Sequence, residues 1–284
     1  MKKRRGFYLS VFYGFMKRRS LPKLRQMFFN ENTGMRKQAM MQMNLEMERL
    51  WPGGPFFAQD DQIRLTTDTV LLADFAQSSA GRSGVDLGCA SGALMLLLLR
   101  KTPALTMTGM ELTDRAAALA KENMERNGFS DRAVILPGDF RHTVKNVQAG
   151  SFDFVISNPP YFERERGLQS PHPDRASARA ELNCSLEDVC AAAARLCRSG
   201  GRVFLCYRPD GLNRLMQTMT SCRLEPKRLR FVYHCPGKEA MLVLLEGRKD
   251  GKPGLKAEAP LILFDEQGME TEEYRRIYHR DTQA

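Results

Sequence analysis

From about residue 60 the chain alternates short apolar runs with stretches whose apolar residues recur at helical spacing. Residues 84–89 (GVDLGC) predict a strand running into a turn, and Ser91 is expected to cap an apolar helix, ALMLLLLR, that ends near Lys101 before Pro103. Residues 106–112 (TMTGMEL) predict a second strand. Thr113 and Asp114 open a helix with Ala116, Leu119, Ala120 and Met124 on one face, and Asn127-Gly128 closes it. Residues 133–136 and 152–157 (FDFVIS) read as the third and fourth strands. A helix over 186–198 is expected to stop at Ser199-Gly200-Gly201, followed by strand 202–207 (RVFLCY), helix 210–221 and strands 227–232 (KRLRFV) and 240–246 (AMLVLLE). Residues 248–260 (RKDGKPGLKAEAP) read as a loop, and a last short strand over 261–265 (LILFD) precedes a polar tail through Tyr274 and Tyr278.

Alternation of this kind predicts an α/β doubly wound sheet, with parallel strands joined by right-handed helical crossovers and helices on both faces. No helix separates strands 227–232 and 240–246, so these two pair antiparallel. The expected frame is seven-stranded and mostly parallel, with its last strand reversed. No internal repeat is present.

Composition confirms a globular chain: 43% hydrophobic and 27% charged residues over 284 positions exclude disordered, collagenous and coiled-coil proteins. The formal charge of +10 invites a nucleic-acid reading, but residues 1–40 hold eleven Lys/Arg against the single Glu31. The other 244 residues carry 32 basic and 32 acidic side chains, so basicity alone does not identify a partner. Residues 1–45 are expected to be a disordered basic tail or a start upstream of the true one, with Met35, Met40, Met41, Met43 and Met47 as later starts. Residues 46–284 then form one domain. The apolar run between KKRR and KRR is too short to span a bilayer and lacks a small-residue cleavage site, so no membrane is implied. Seven scattered cysteines without a CxxC pair suggest neither disulfides nor zinc, and a cytoplasmic location follows. His142, His172, His234 and His279 form no ligand cluster, so no metal is expected.

Two motifs carry chemistry. Asp86-Leu87-Gly88-Cys89-Ala90-Ser91-Gly92 lies between a strand and its helix, where glycines let the backbone approach a ligand. Glu111 closes the next strand 25 residues after Asp86, and Asp139, in Gly138-Asp139-Phe140, follows the third. Carboxylates ending three successive strands converge on the crevice at the sheet's carboxyl edge. Any one of them alone is more often a solvated strand end. The second motif, Asn158-Pro159-Pro160-Tyr161, follows the fourth strand. Two prolines fix φ, which leaves the Asn158 side-chain oxygen and the Pro159 carbonyl as acceptors for both hydrogens of a planar amino group. Tyr161 offers a flat face for the ring bearing it. A Pro-Pro surface turn is the plain alternative.

These residues resemble the class I S-adenosylmethionine methyltransferases that act on exocyclic or amide nitrogens. The resemblance implies a Rossmann-like fold, S-adenosyl-L-methionine as cofactor, and Asn158, Pro159, Pro160 and Tyr161 as catalytic residues. It places Gly88 and Gly92 at the methionine moiety with Asp86 and Cys89 beside them. Glu111 and Leu112 fall at the ribose, Asp139 and Phe140 at the cofactor's adenine, and Asn158 borders the cofactor as well. One departure is Ala90, where the family usually has glycine; a negative φ there would accommodate the methyl group. Residues 66–73 (TTDTVLLA) resemble, more narrowly, the bacterial tRNA(Val) adenine-37 N6-methyltransferase family, in which a Thr-Asp pair such as Thr67-Asp68 borders the cofactor. Further similarity lies in Glu225-Pro226-Lys227-Arg228, Pro236-Gly237-Lys238-Glu239-Ala240 and Asp250-Gly251-Lys252-Pro253, and is closest to the branch found in Gram-positive bacteria. The implied reaction is N6-methylation of an adenine in RNA, with tRNA as partner and no stable protein partner. Rivals are transfer to a protein glutamine amide or a DNA adenine, and a degenerate fold that only binds. For RNA contact the sequence offers Arg223, Lys227, Arg228 and Arg230, and Arg164, Arg166, Arg175 and Arg179 in a loop of zero net charge.

Overall fold

Residues 84–87 are all buried, so β3 (Ser83–Leu87) is a strand covered on both faces and sits at the centre of the sheet. The computed structural model describes residues 46–59, 64–77, 81–142, 147–159 and 184–280. The long strands after β3 are β4 (Thr106–Glu111), β5 (Ala133–Pro137), β6 (Phe152–Ser157), β7 (Cys197–Tyr207), β8 (Leu224–Tyr233) and β9 (Ala240–Lys249). A hairpin of β1 (Glu46–Arg49) and β2 (Phe56–Gln59) precedes them, and β10 (Lys256–Ala257) and β11 (Leu261–Ile262) follow. The strand order is β10-β8-β9-β7-β6-β3-β4-β5, with β11 pairing β8 as well. Among the described strands of this sheet only β9 runs against its neighbours, inserted between β7 and β8, and the β1–β2 hairpin forms a separate antiparallel pair. The seven-stranded expectation is met, and two short parallel strands extend the β8 edge.

The helices are α1 (Thr67–Gln77), α2 (Ala93–Lys101), α3 (Asp114–Arg126), α4 (Leu186–Leu196), α5 (Leu212–Ser221) and α6 (Glu272–Ile277). The seven leucine-rich residues 93–99 of α2 are all buried, as expected of a helix that is apolar all round. Strand alternation assigns the faces. Val203, Leu205 and Tyr207 of β7 join α4 and α5 in one core, while Phe204 turns to the other side, edge-on to Phe75 of α1.

Four local expectations change. Residues 197–201 are strand rather than a helix end and its stop: Cys197 pairs with Phe152 and Arg202 with Phe154, so Ser199-Gly200-Gly201 bulges within β7. Gly92, not Ser91, precedes α2, and Ser91 is buried. The β1–β2 hairpin had no signal in the sequence pattern. The supposed polar tail contains α6, with Tyr274 and Tyr278 buried edge-to-face at 4.8 Å.

Candidate functional site

At the carboxyl end of β3 the chain turns through Gly88, Ala90 and Gly92, whose φ angles are +73°, +48° and +77°. The N–H groups of Gly88 and Cys89 both donate to the Met110 carbonyl, at 2.9 and 3.0 Å, which clamps the turn to β4. Ala90 therefore does not have the negative φ that would suit it. Its left-handed conformation costs about 1–2 kcal/mol, and its N–H donates to Glu111 Oε2 at 2.9 Å. A Cβ on Gly88 would meet nothing within 4 Å, so the turn presents bare backbone to open space.

Glu111 ends β4 and is buried. Its Oε1 accepts from the N–H and hydroxyl of Thr113, at 2.9 and 3.0 Å. This contact takes the Thr113 hydroxyl that was expected to open α3. Asp86 is 2% exposed, and its Oδ2 has no hydrogen-bond partner. Burial, together with the negative charge of Glu111, pushes its carboxyl up from 3.8 to about 8. The Cys89 thiol is pushed up by the same burial and by both carboxylates. An orphaned carboxyl oxygen, a second carboxylate with an acceptor position left, and an open glycine face together suit a ligand that carries cationic groups and hydroxyls.

The loop after β5 is tied to β4 by the Gly138 N–H, which donates to the Glu111 carbonyl at 2.8 Å. Arg141 Nε donates to both oxygens of Asp139, at 2.9 and 2.8 Å, and this holds the carboxyl below its ordinary value. Arg141 therefore covers the group expected to meet the cofactor's adenine. Half-buried Phe140 packs against the core, and Arg195 of α4 donates to the Phe140 carbonyl at 2.6 Å. Leu112 is half-buried beside Glu111.

At the end of β6 the Ser157 hydroxyl donates to the Leu87 carbonyl at 2.7 Å, joining the two motifs. Asn158 Nδ2 donates to Thr69 Oγ1 at 3.0 Å and to Thr66 Oγ1 at 3.5 Å, and Asn158 Oδ1 accepts from the Cys206 thiol at 2.9 Å. Pro159 is buried. Pro160, Tyr161 and the arginine loop 162–181 lie outside the described residues. Thr67, next in sequence to Thr66, meets the buried Tyr278 phenol instead of Asn158. Half-buried Asp68 lies beside it in the first turn of α1.

The structure thus gathers Asp86, Gly88, Cys89, Gly92, Glu111, Asp139 and Asn158 along one sheet edge. Sequence reasoning stopped one residue short at α1: Thr66 and Thr69, one helical turn apart and flanking Thr67-Asp68, are the side chains that reach Asn158. It also missed Asn123. That buried amide donates to the carbonyls of Ala58 (3.0 Å) and Ser91 (2.9 Å) and accepts from the Ala58 N–H (2.8 Å). Asn127, which caps α3, treats Phe56 alike, so two side chains at the end of α3 act as a sheet edge for β2. Asparagines four apart in a helix that otherwise follows the apolar pattern were the available signal. The cations offered for RNA at and before β8 are engaged within the fold, Lys227 by donating to the Lys252 carbonyl at 2.9 Å. Arg230 forks onto Glu273, Arg228 lies between Glu246, Glu258 and the Phe75 ring, and Arg223 pairs with Asp250. Arg228 and Arg230 line a polar cleft of about 510 Å³ bordered by α1, α2 and α6, away from the glycine turn.

A sheet ordered in this way, with a reversed strand next to its edge, a glycine turn after the central strand and carboxylates closing the next two, defines a class I S-adenosylmethionine-dependent methyltransferase. Residues 60–172 match the model of the methyltransferase small domain. The tRNA1(Val) (adenine(37)-N6)-methyltransferase of Porphyromonas gingivalis is 33% identical over 192 residues, spanning 66% of this chain and 74% of that protein. The protein of the same name from Haemophilus influenzae is 26% identical over 213 residues, 75% of this chain and 88% of its own length. The chain belongs to the tRNA1(Val) (adenine(37)-N6)-methyltransferase family. Its fold is shared by the crystal structure of a predicted O-methyltransferase from Agrobacterium tumefaciens (TM-score 0.62, 22% identity, covering 75% of this chain and 96% of that one).

Proposed function

We propose that the protein methylates N6 of an adenine in tRNA, at position 37 as the names of its relatives indicate, in the cytoplasm, and that residues 46–284 carry the whole reaction. The observation that supports this best is the half-buried Asn158 amide, fixed at the end of β6 with an acceptor position of Oδ1 still open. When bound, S-adenosylmethionine supplies a methyl group activated by the adjoining sulfonium. Gly88 and Gly92 leave room for its methionine end, and Asp86 meets its positive charge. Glu111 would accept ribose hydroxyls, with Leu112 beside it, and Phe140 and Asp139 would hold its adenine, Asp139 once Arg141 swings off its carboxylate. Thr67, Asp68 and Cys89 border it.

The target base is taken out of its stack into the crevice, where Tyr161 supplies a stacking face. Its amino nitrogen is a poor nucleophile because the lone pair is delocalised into the ring. Asn158 Oδ1 and the Pro159 carbonyl accept the two hydrogens and favour a pyramidal nitrogen whose lone pair faces the methyl group. Pro160 stiffens the turn that sets these acceptors. Once the nitrogen is alkylated its proton is acidic and leaves to water, so no strong base is required and positioning carries the rate.

The test is transfer of label from S-adenosylmethionine to total bacterial tRNA, followed by digestion to nucleosides. Labelled N6-methyladenosine is the expected product. Unlabelled tRNA with cofactor bound would refute the RNA reading.

A further inference from the structure

Alternation along β7 places Cys206 on the same face as Phe204, towards α1. Ser157 pairs with Leu205, so the next residue on each strand, Asn158 and Cys206, are neighbours. The Cys206 thiol is fully buried and lies 2.9 Å from Asn158 Oδ1. On the opposite side of the amide, Thr66 and Thr69 present hydroxyls 3.0 Å apart. Thr66 Oγ1 also takes the Thr69 N–H at 3.4 Å, which ties this pair to the first turn of α1. The amide, carried at the end of β6, is therefore gripped from both ends by two elements that meet it only in the folded sheet: the end of β7 and the start of α1.

We propose that Thr69 and Cys206 are positioning residues that lock the orientation of the Asn158 amide, with Thr66 bracing Thr69. This rests on the reading of Asn158 given above and deepens it. A primary amide can turn over about its last bond and exchange oxygen for NH₂. In the exchanged state a donor would face the substrate's amino group, and two donors repel. The thiol satisfies one lone pair of Oδ1, and the hydroxyls take the Nδ2 hydrogens. The second lone pair of Oδ1 is what remains for the base. Neither Thr69 nor Cys206 needs to touch RNA or cofactor.

Four variants of the full chain test this: Thr69→Val and Cys206→Ala, which remove the partner atoms, Thr69→Ser, which keeps the hydroxyl, and Cys206→Ser, which puts a hydroxyl donor in place of the thiol. The first readout needs no turnover. The ¹⁵N-labelled side-chain amide signal of Asn158, assigned by its loss in Asn158→Ala, is expected to move and to exchange faster in Thr69→Val and Cys206→Ala, and to move back towards wild type in the serine variants. The second is kinetic: Thr69→Val and Cys206→Ala are expected to lower kcat at least tenfold. The RNA KM and the calorimetric Kd for S-adenosylmethionine stay within twofold, and the serine variants recover most of the loss. Unmoved amide signals overturn the proposal, and so does a fall in kcat matched by a fall in cofactor affinity. Wild-type protein that leaves tRNA unmethylated while the variants shift the amide signal overturns the tRNA reading and supports the lock.

Discussion

Asn158 and Asp86 show how one environment gives two residues different duties. Asn158 is neutral and gripped, so its replacement should remove chemistry and little else. Asn158→Ala is expected to lower kcat at least a thousandfold while the calorimetric cofactor Kd stays within about threefold, since oriented acceptors act on the reacting nitrogen. Asp86 is gripped by nothing: it is a buried carboxyl with a bare oxygen. Its folded value of about 8 exceeds the ordinary 3.8, so the ligand-free folded state holds the proton more tightly than the unfolded chain. The group thus favours folding below pH 4 and progressively disfavours it as pH rises towards 8. Asp86→Asn copies the protonated form. Thermal unfolding without cofactor should therefore show no difference from wild type near pH 4. Near pH 8 the variant should gain at least 1 kcal/mol, roughly 2–4 °C. Cofactor affinity should fall about tenfold, because the charge that answers the ligand is gone.

At the level of elements, the glycine turn depends on a hairpin far from it in sequence. Asn123 joins the Ala58 backbone to the Ser91 carbonyl. Asn123→Ala leaves three buried backbone groups without that partner, at a cost of about 1–3 kcal/mol each where water does not replace it. The unfolding midpoint should drop by several degrees and the cofactor Kd should rise, whereas Asn127→Ala, whose side chain meets Phe56 and the Asn123 carbonyl but not Ser91, should lower stability with less effect on the cofactor. These contacts also explain what the sequence left illegible. The central strands could be read because their apolar runs are short, continuous and bounded by turns, and the reversed strand could be read from the missing helix. The hairpin carries four-residue strands whose pairing is completed by side chains 65 and 71 positions away, which no local pattern encodes. Residues 197–201 carry two glycines and look like a helix stop, yet the bulge keeps them in the sheet. Within the site, the motifs located the sheet edge and its carboxylates. The partners of Asn158 escaped because Cys206 reads as one more apolar strand residue and Thr66 and Thr69 as ordinary helix-start residues.

For the whole molecule, charge is partitioned. The net excess lies in residues 1–40, and Arg223, Arg228 and Arg230 are absorbed into ion pairs with Asp250, Glu246, Glu258 and Glu273. A forked, partly buried Arg230–Glu273 pair is architecture, so Arg230→Gln should lower the unfolding midpoint. The salt dependence of tRNA binding should stay unchanged, since each lost phosphate contact would reduce its slope by nearly one. Nitrocellulose binding across a salt series decides this.

The same architecture sets a timetable. Tyr278 rests on Thr67, His279 stacks on Trp51 at 4.1 Å, and β9, which is made late, separates β7 from β8. Elements made early are fastened by residues made much later. A ribosome that has released only the glycine turn and the Asn-Pro motif has released no finished site, because α1 and the hairpin still await their fastenings. Nascent chains that end before Tyr278 and His279 are therefore expected to be catalytically silent, which the tRNA transfer assay on chains made from truncated messages would check.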